Sequence, residues 1–186
     1  GAGSTEWDGA TDMTLSSGGN LTVIGEYSDQ IEFGQHSLQS SAPMSIFIST
    51  ISSSNGSWMG STSLDSDYIR VTGITSFPQG DIAITGYFQG TLIIGSTTLE
   101  STDESSDIFV SRMDLDGNWI WAVSTGGTET DCSFDIVSGA FGRSVIVGHY
   151  FSPSISFGNK YLTNTDQWDA NWDLYVAWLD SDGNWE

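Results

Sequence analysis

The chain has 186 residues, of which 38% are hydrophobic and 12% aromatic, so it is globular and long enough for one sizeable core. Its net charge is −20, with only Arg70, Arg112, Arg143 and Lys160 positive. That balance argues against nucleic acid or an anionic membrane as partner, and favours divalent cations or a saline medium that screens the repulsion. No apolar run approaches the roughly 18 residues needed to cross a bilayer, so no membrane insertion is expected. Cys132 is the only cysteine, which excludes an intrachain disulfide and reads as a small core residue.

Taken in order, the first strand signal is Asp12-Met-Thr-Leu15, followed by Leu21-Thr-Val-Ile-Gly-Glu-Tyr27. A short run, Ile31-Glu-Phe-Gly34, comes next, with Leu38 four residues after its glycine. Then comes the regular strand Ser45-Ile-Phe-Ile-Ser49, and a turn Asn55-Gly-Ser-Trp58. The same order returns as Asp81-Ile-Ala-Ile-Thr-Gly-Tyr-Phe88, Leu92-Ile-Ile-Gly95 with Leu99, Asp107-Ile-Phe-Val-Ser111 and Asp116-Gly-Asn-Trp119. It returns again as Asp135-Ile-Val-Ser138, Val145-Ile-Val-Gly-His-Tyr-Phe151, Ile155-Ser-Phe-Gly158 with Leu162, Asp173-Leu-Tyr-Val-Ala177 and Asp182-Gly-Asn-Trp185.

The repeat tryptophans at 58, 119 and 185 are 61 and 66 residues apart, and the strand glycines Gly25, Gly86 and Gly148 are 61 and 62 apart. The chain is thus one domain, 1–186, of three repeats at about 1–58, 59–119 and 120–186. Runs rich in Val, Ile and aromatics, bounded by turn residues, predict strands, and no segment carries a 3.6-residue period with caps. The expectation is an all-β fold of three tandem four-stranded antiparallel blades of the β-propeller type. A three-fold β-trefoil or β-prism is the alternative. A glycine fixed inside each second strand predicts a bulge or a close backbone approach.

These motifs, Asp116-Gly-Asn-Trp-Ile-Trp-Ala122, Gly126-Gly127, Val147-Gly148, Phe157-Gly158 and Asp173-Leu-Tyr-Val176, resemble the SBBP-type β-propeller repeats of secreted and cell-surface prokaryotic proteins. Thr85-Gly-Tyr-Phe88, Ile94-Gly95 and Asp107-Ile-Phe-Val110 carry the resemblance in the second repeat; the first repeat diverges most. The resemblance spans essentially the whole chain. It implies a propeller fold and a secreted or cell-surface setting, with no shared catalytic residue.

Three blades are fewer than the four to eight of a closed propeller. Trp58 to Asp65 takes seven residues and Trp119 to Asp131 takes twelve; joining Glu186 to Gly1 would put Asp8 nine residues after Trp185. That count predicts a unit completed by a second copy, a homo-oligomer, or by neighbouring repeats of a longer chain. The first Met is Met13, so the sequence reads as a mature product or a piece of something larger.

Candidate sites are few. Asp114, Asp116 and Asn118, and likewise Asp180, Asp182 and Asn184, offer the hard oxygens that Ca²⁺ takes, but Asp-Gly between apolar runs is first a hairpin signal. Trp168 and Trp172, with Asp169 and Asn171, form an inserted loop whose rings and polar groups suit a glycan. Asn20 and Asn55 match the N-glycosylation pattern. Asp103, Glu104 and Asp107 read as a solvated acidic loop, and His36 and His149 lack a catalytic constellation. No nucleophile, metalloprotease or phosphate-loop motif is present. The function expected is that of a non-enzymatic extracellular structural or adhesive module without a required cofactor. A carbohydrate-binding propeller is the alternative, and a propeller hydrolase a distant third.

Overall fold

The computed structural model describes residues 1–164 and 171–186. Among them the chain is all-β: eighteen strands, one three-residue 3₁₀ turn and no α-helix. The first sheet is built from β2 (Asp8–Leu15), β3 (Leu21–Tyr27), β6 (Ser45–Ile51) and β7 (Trp58–Asp65). The second has β8 (Tyr68–Ser76), β9 (Ile82–Gln89), β12 (Asp107–Met113) and β13 (Trp119–Thr125). The third has β14 (Asp131–Ser138), β15 (Ser144–Tyr150) and β18 (Asp173–Leu179). Each sheet is an antiparallel meander drawn from one continuous stretch of the chain.

The short run ending in Gly does not join its sheet. It forms one arm of a separate hairpin inserted between the second and third strands: β4 (Gln30–Phe33) with β5 (His36–Gln39), β10 (Thr91–Ile94) with β11 (Thr97–Glu100), and β16 (Ser154–Phe157) with β17 (Lys160–Thr163). The following Leu lies directly across from the apolar residue that opens the run, as in Leu92 opposite Leu99. Gly34, Gly95 and Gly158 sit at φ of 61–63° at the first of two turn positions, a left-handed geometry that glycine adopts without a Cβ clash. The fourth strand of the sheet is instead the one opened by the repeat Trp. Each structural unit therefore runs past its Trp, to Asp65 and Thr125 in the first two. In the third, Trp185 bridges Leu179, as Trp58 pairs Ile51 and Trp119 pairs Met113. β1 (Ala2–Gly3) pairs β4.

The spacing argument for a joined chain needs one correction. Asp131 opens β14 opposite Tyr150, and Asp8 opens β2 opposite Tyr27. The matching residue of the second sheet is Ile69, opposite Phe88 and eleven residues after Trp58, whereas Asp65 closes β7. The seven-residue bound falls away, and nine residues is shorter than both real connections.

The sheets stack face to face in chain order. The following face of the first, Ile24, Ile46, Ile48 and Leu64, packs on Ile69, Val71, Ile84, Phe88 and Phe109 of the second. The following face of the second, Ala83, Ile108 and Val110, packs on Ile136, Ile146, Tyr175 and Ala177 of the third. Polar bonds link the first strands of successive sheets: Ile74 N donates to Asp12 Oδ2 at 3.1 Å, and Ser138 N to Thr75 Oγ1 at 3.0 Å. Glu26 pairs with Arg70 across the first of these interfaces.

Candidate functional site

The Asp-Gly-Asn segments are built as turns. Asp114 Oδ1 accepts the Asp116 and Asn118 N–H groups at 2.9 and 2.8 Å, and Asp114 Oδ2 accepts Asn118 Nδ2 at 3.0 Å. Asp180 Oδ1 repeats the pattern with Asp182 and Asn184, each at 2.9 Å. These bonds favour the carboxylate form: the Asn118 backbone N–H holds Asp114, and the Asn184 side-chain amide holds Asp180, below the usual carboxylate range. Within each trio the Asp that opens the turn spends its acceptors on the turn itself. Among the described residues no group of three or more His, Cys, Asp or Glu side chains converges as a metal site.

The inserted-loop site is only partly visible. Trp168 and Asp169 lie outside the described residues. Asn171 and Trp172 are exposed, and the Asn171 carbonyl accepts Asn164 Nδ2 at 2.9 Å. Trp172 does not stand alone. Its ring centroid is 3.8 Å from His149 and 5.1 Å from Phe151, and Phe134 meets His149 edge-on at 4.4 Å. Burial among these rings pushes the His149 pKa down, so the imidazole is neutral at pH 7. The row continues along β18 as Leu174, Val176 and Trp178, all exposed on the following face of the third sheet. His149, Phe134 and the β18 residues escape a motif search. Their signal is the unbroken run Leu174–Leu179, apolar on both faces, since a strand apolar on both faces needs cover on both.

The other sequence candidates are scattered. Asn55 sits in an exposed turn, its Oδ1 accepting from Ser57 N and Oγ, while half-buried Asn20 accepts Ser53 N. Asn20 also lines a groove of about 470 Å³ between the first two sheets, with Thr50, Met59, Met113 and Leu115. His36 pairs Phe33 at the tip of the first hairpin. Cys132 is buried, and burial pushes its thiol up to about 12, far from a working nucleophile.

The acidic loop is split by the fold. Asp103 and Glu104 are exposed, but Asp107 is buried at the start of β12, where its Oδ2 accepts Thr102 N and Oγ1, each at 3.1 Å. Burial pushes Asp107 up to about 6, and nearby Asp131 adds repulsion. A folded pKa above the unfolded value of about 3.9 means that protonated Asp107 favours the fold. That contribution is full below about pH 4 and is lost as pH rises through about 6. Asp107→Asn is expected to flatten this decline: urea unfolding free energies should fall by about 2 kcal/mol between pH 4 and pH 6.5 in the native protein, and by much less in the variant.

Compared with known proteins, no family model matches this chain and no curated protein matches it.

Proposed function

We propose that this chain is a non-enzymatic module of the β-propeller type, of the SBBP-like kind, working outside the cell by surface contact and self-association. One observation carries the reading: three sheets of one pattern stack in series, each laying its following face on the next, and the last such face, Leu174, Val176 and Trp178, is left exposed. Exposed apolar sheet faces of this kind mark contact surfaces. The polar bonds between successive first strands support a propeller order, with those strands nearest the axis. Separate sheets, each from one continuous stretch of the chain and packed face to face in series, also support blades over a trefoil or prism. The acid excess gives a soluble surface that associates best where salt screens it.

The test is the solution mass by light scattering from micromolar concentration upward, at low and high salt. A mass that climbs above one chain, more readily at high salt, is the expected result; one chain at every concentration defeats the reading. A glycan-binding role has its own support in Trp172, whose half-exposed ring is held by His149 and Phe151. Oligosaccharides that quench tryptophan emission in the native protein and fail to do so in Trp172→Ala would favour that second reading.

A further inference from the structure

The face that carries the aromatic row is the face on which, twice within the chain, another sheet already sits. We infer that it docks the preceding face of the first sheet of a second copy of this chain, head to tail. This rests on the contact-module reading above and names its partner and its surfaces.

The register makes the correspondence residue by residue. Leu174 lies opposite His149 as Ile108 lies opposite Tyr87 and Ile46 opposite Glu26. Val176 likewise matches Val110 and Ile48. Ile46, Ile48, Ile108 and Val110 are 0–3% exposed beneath the next sheet, whereas Leu174 is 75% and Val176 46% exposed. The complementary face is open along its first strand, while Tyr27 and Phe47 farther across it are buried with Phe33 of the chain's own hairpin. Ile74 and Ile136, which press against the preceding sheet, are 5% and 2% exposed; Met13, at their place in the first sheet, is 62% exposed, as is Leu15 beside it. One molecule thus exposes part of each half of an interface that it buries twice.

Asp135 of the third sheet occupies the place of Asp12, whose carboxylate takes the Ile74 N–H across the first interface. That bond is particular to the first interface, where Gly73 leaves the Ile74 N–H free; the Met13 N–H donates to its own Asp12 Oδ1 at 2.7 Å, as the Ile136 N–H does to Asp135 Oδ1 at 2.8 Å. The Glu26–Arg70 pair of the first interface has no counterpart on these two faces: His149 stands at the Glu26 position and Gly9 at the Arg70 position, and Trp178 takes the place of Arg112. The faces still carry carboxylates: Asp8, bonded to Ser4, stands at the Ile69 position, and Asp135 would approach Asp12, so the contact is one that salt strengthens by screening them. A partner of unrelated shape would have to reproduce the hairpin-backed face that the first sheet already supplies.

The experiment is sedimentation equilibrium of the whole chain at high salt, with two single-face variants and a control. Val176→Lys spoils only the following face and Met13→Glu only the preceding one. Each is expected to weaken association about 100-fold, with the far-UV circular dichroism unchanged. Mixing the two variants should restore the mass of two chains, because each supplies the face that the other lacks. Tyr161→Lys, on an exposed hairpin, should associate like the native protein. Polymers larger than two chains that either variant disperses would equally support head-to-tail docking. Association that survives both face variants overturns the inference and leaves the contact-module reading standing. A native chain that stays monomeric overturns both.

Discussion

Gly148→Ala is expected to destabilise the protein by about 3 kcal/mol or more, read as the loss in urea unfolding free energy. A Cβ on Gly148 would overlap the Cys132 carbonyl oxygen of the neighbouring strand and come within 2.6 Å of Tyr175 Oη. Neither neighbour yields easily. The carbonyl belongs to the ladder at a bulge, where Phe134 is the extra residue between Ser133 and Asp135, and it accepts the Tyr175 hydroxyl at 3.2 Å. Gly25 and Gly86 repeat the arrangement, with the Gly9 and Arg70 carbonyls on one side and the rings of Phe47 and Phe109 on the other. In all three sheets the first strand bulges beside the glycine and an aromatic of the third strand lies over it, filling the space where a side chain would stand. Gly60→Ala is the matched control. Gly60 lies in a strand, with φ outside the left-handed range and nothing within 4 Å of its added Cβ, so its substitution should stay within about 0.5 kcal/mol.

Those glycines also mark how far the sequence could be read. Their near-constant spacing, their place inside apolar strands and the aromatic that follows them announce a bulge or close approach, and both are present. The strand periodicity and the Asp-Gly turns were legible for the same reason: each is fixed by neighbours within a few residues. What failed was pairing. Ile31-Glu-Phe-Gly34 alternates as a sheet strand does, and nothing local says that its partner is Leu38 rather than the Ser45 strand. The repeat Trp looked like the end of a unit, because the turn before it is the conspicuous feature, yet it opens the strand that completes the sheet. The exposed face of the third sheet was harder still. Val176 and Val110 are the same residue in the same pattern, and only the presence or absence of a following sheet separates 46% exposure from none. The candidate glycan loop drew attention to Trp172 through its length, while His149, which packs against it, comes from a strand more than twenty residues earlier.

Arg112→Ala should cost about 3–5 kcal/mol, the range for breaking a buried charge pair. As one of only four cations in an acidic chain, Arg112 would be expected to snorkel outward; instead it is 3% exposed. Its guanidinium meets Asp81 Oδ2 at 3.2 Å through Nε and 3.0 Å through Nη2, while Nη1 donates to the carbonyls of Gly142 at 3.0 Å and Ser181 at 3.3 Å. It also lies 4.0 Å from the centroid of the Phe77 ring. Asp81 belongs to the second sheet's segment, and Gly142 and Ser181 to the turns of the third, so one side chain ties the two sheets at the end where Trp121 Nε1 also reaches Ser181 O. Removing it leaves two carbonyls and a carboxylate short of a donor in a place that water reaches poorly. Arg112→Lys keeps the charge but loses the planar fork that serves three acceptors at once, so it should retain less than half of the stability lost in the alanine variant. The surface pair Arg143–Glu186, half exposed at the arginine, sets the scale for comparison: Arg143→Ala should change stability by no more than about 0.5 kcal/mol, and that small effect should vanish in high salt. The Arg112 effect should persist in the same salt, because its partners are shielded from solvent. If both substitutions prove equally mild, Arg112 does not clamp the second and third sheets.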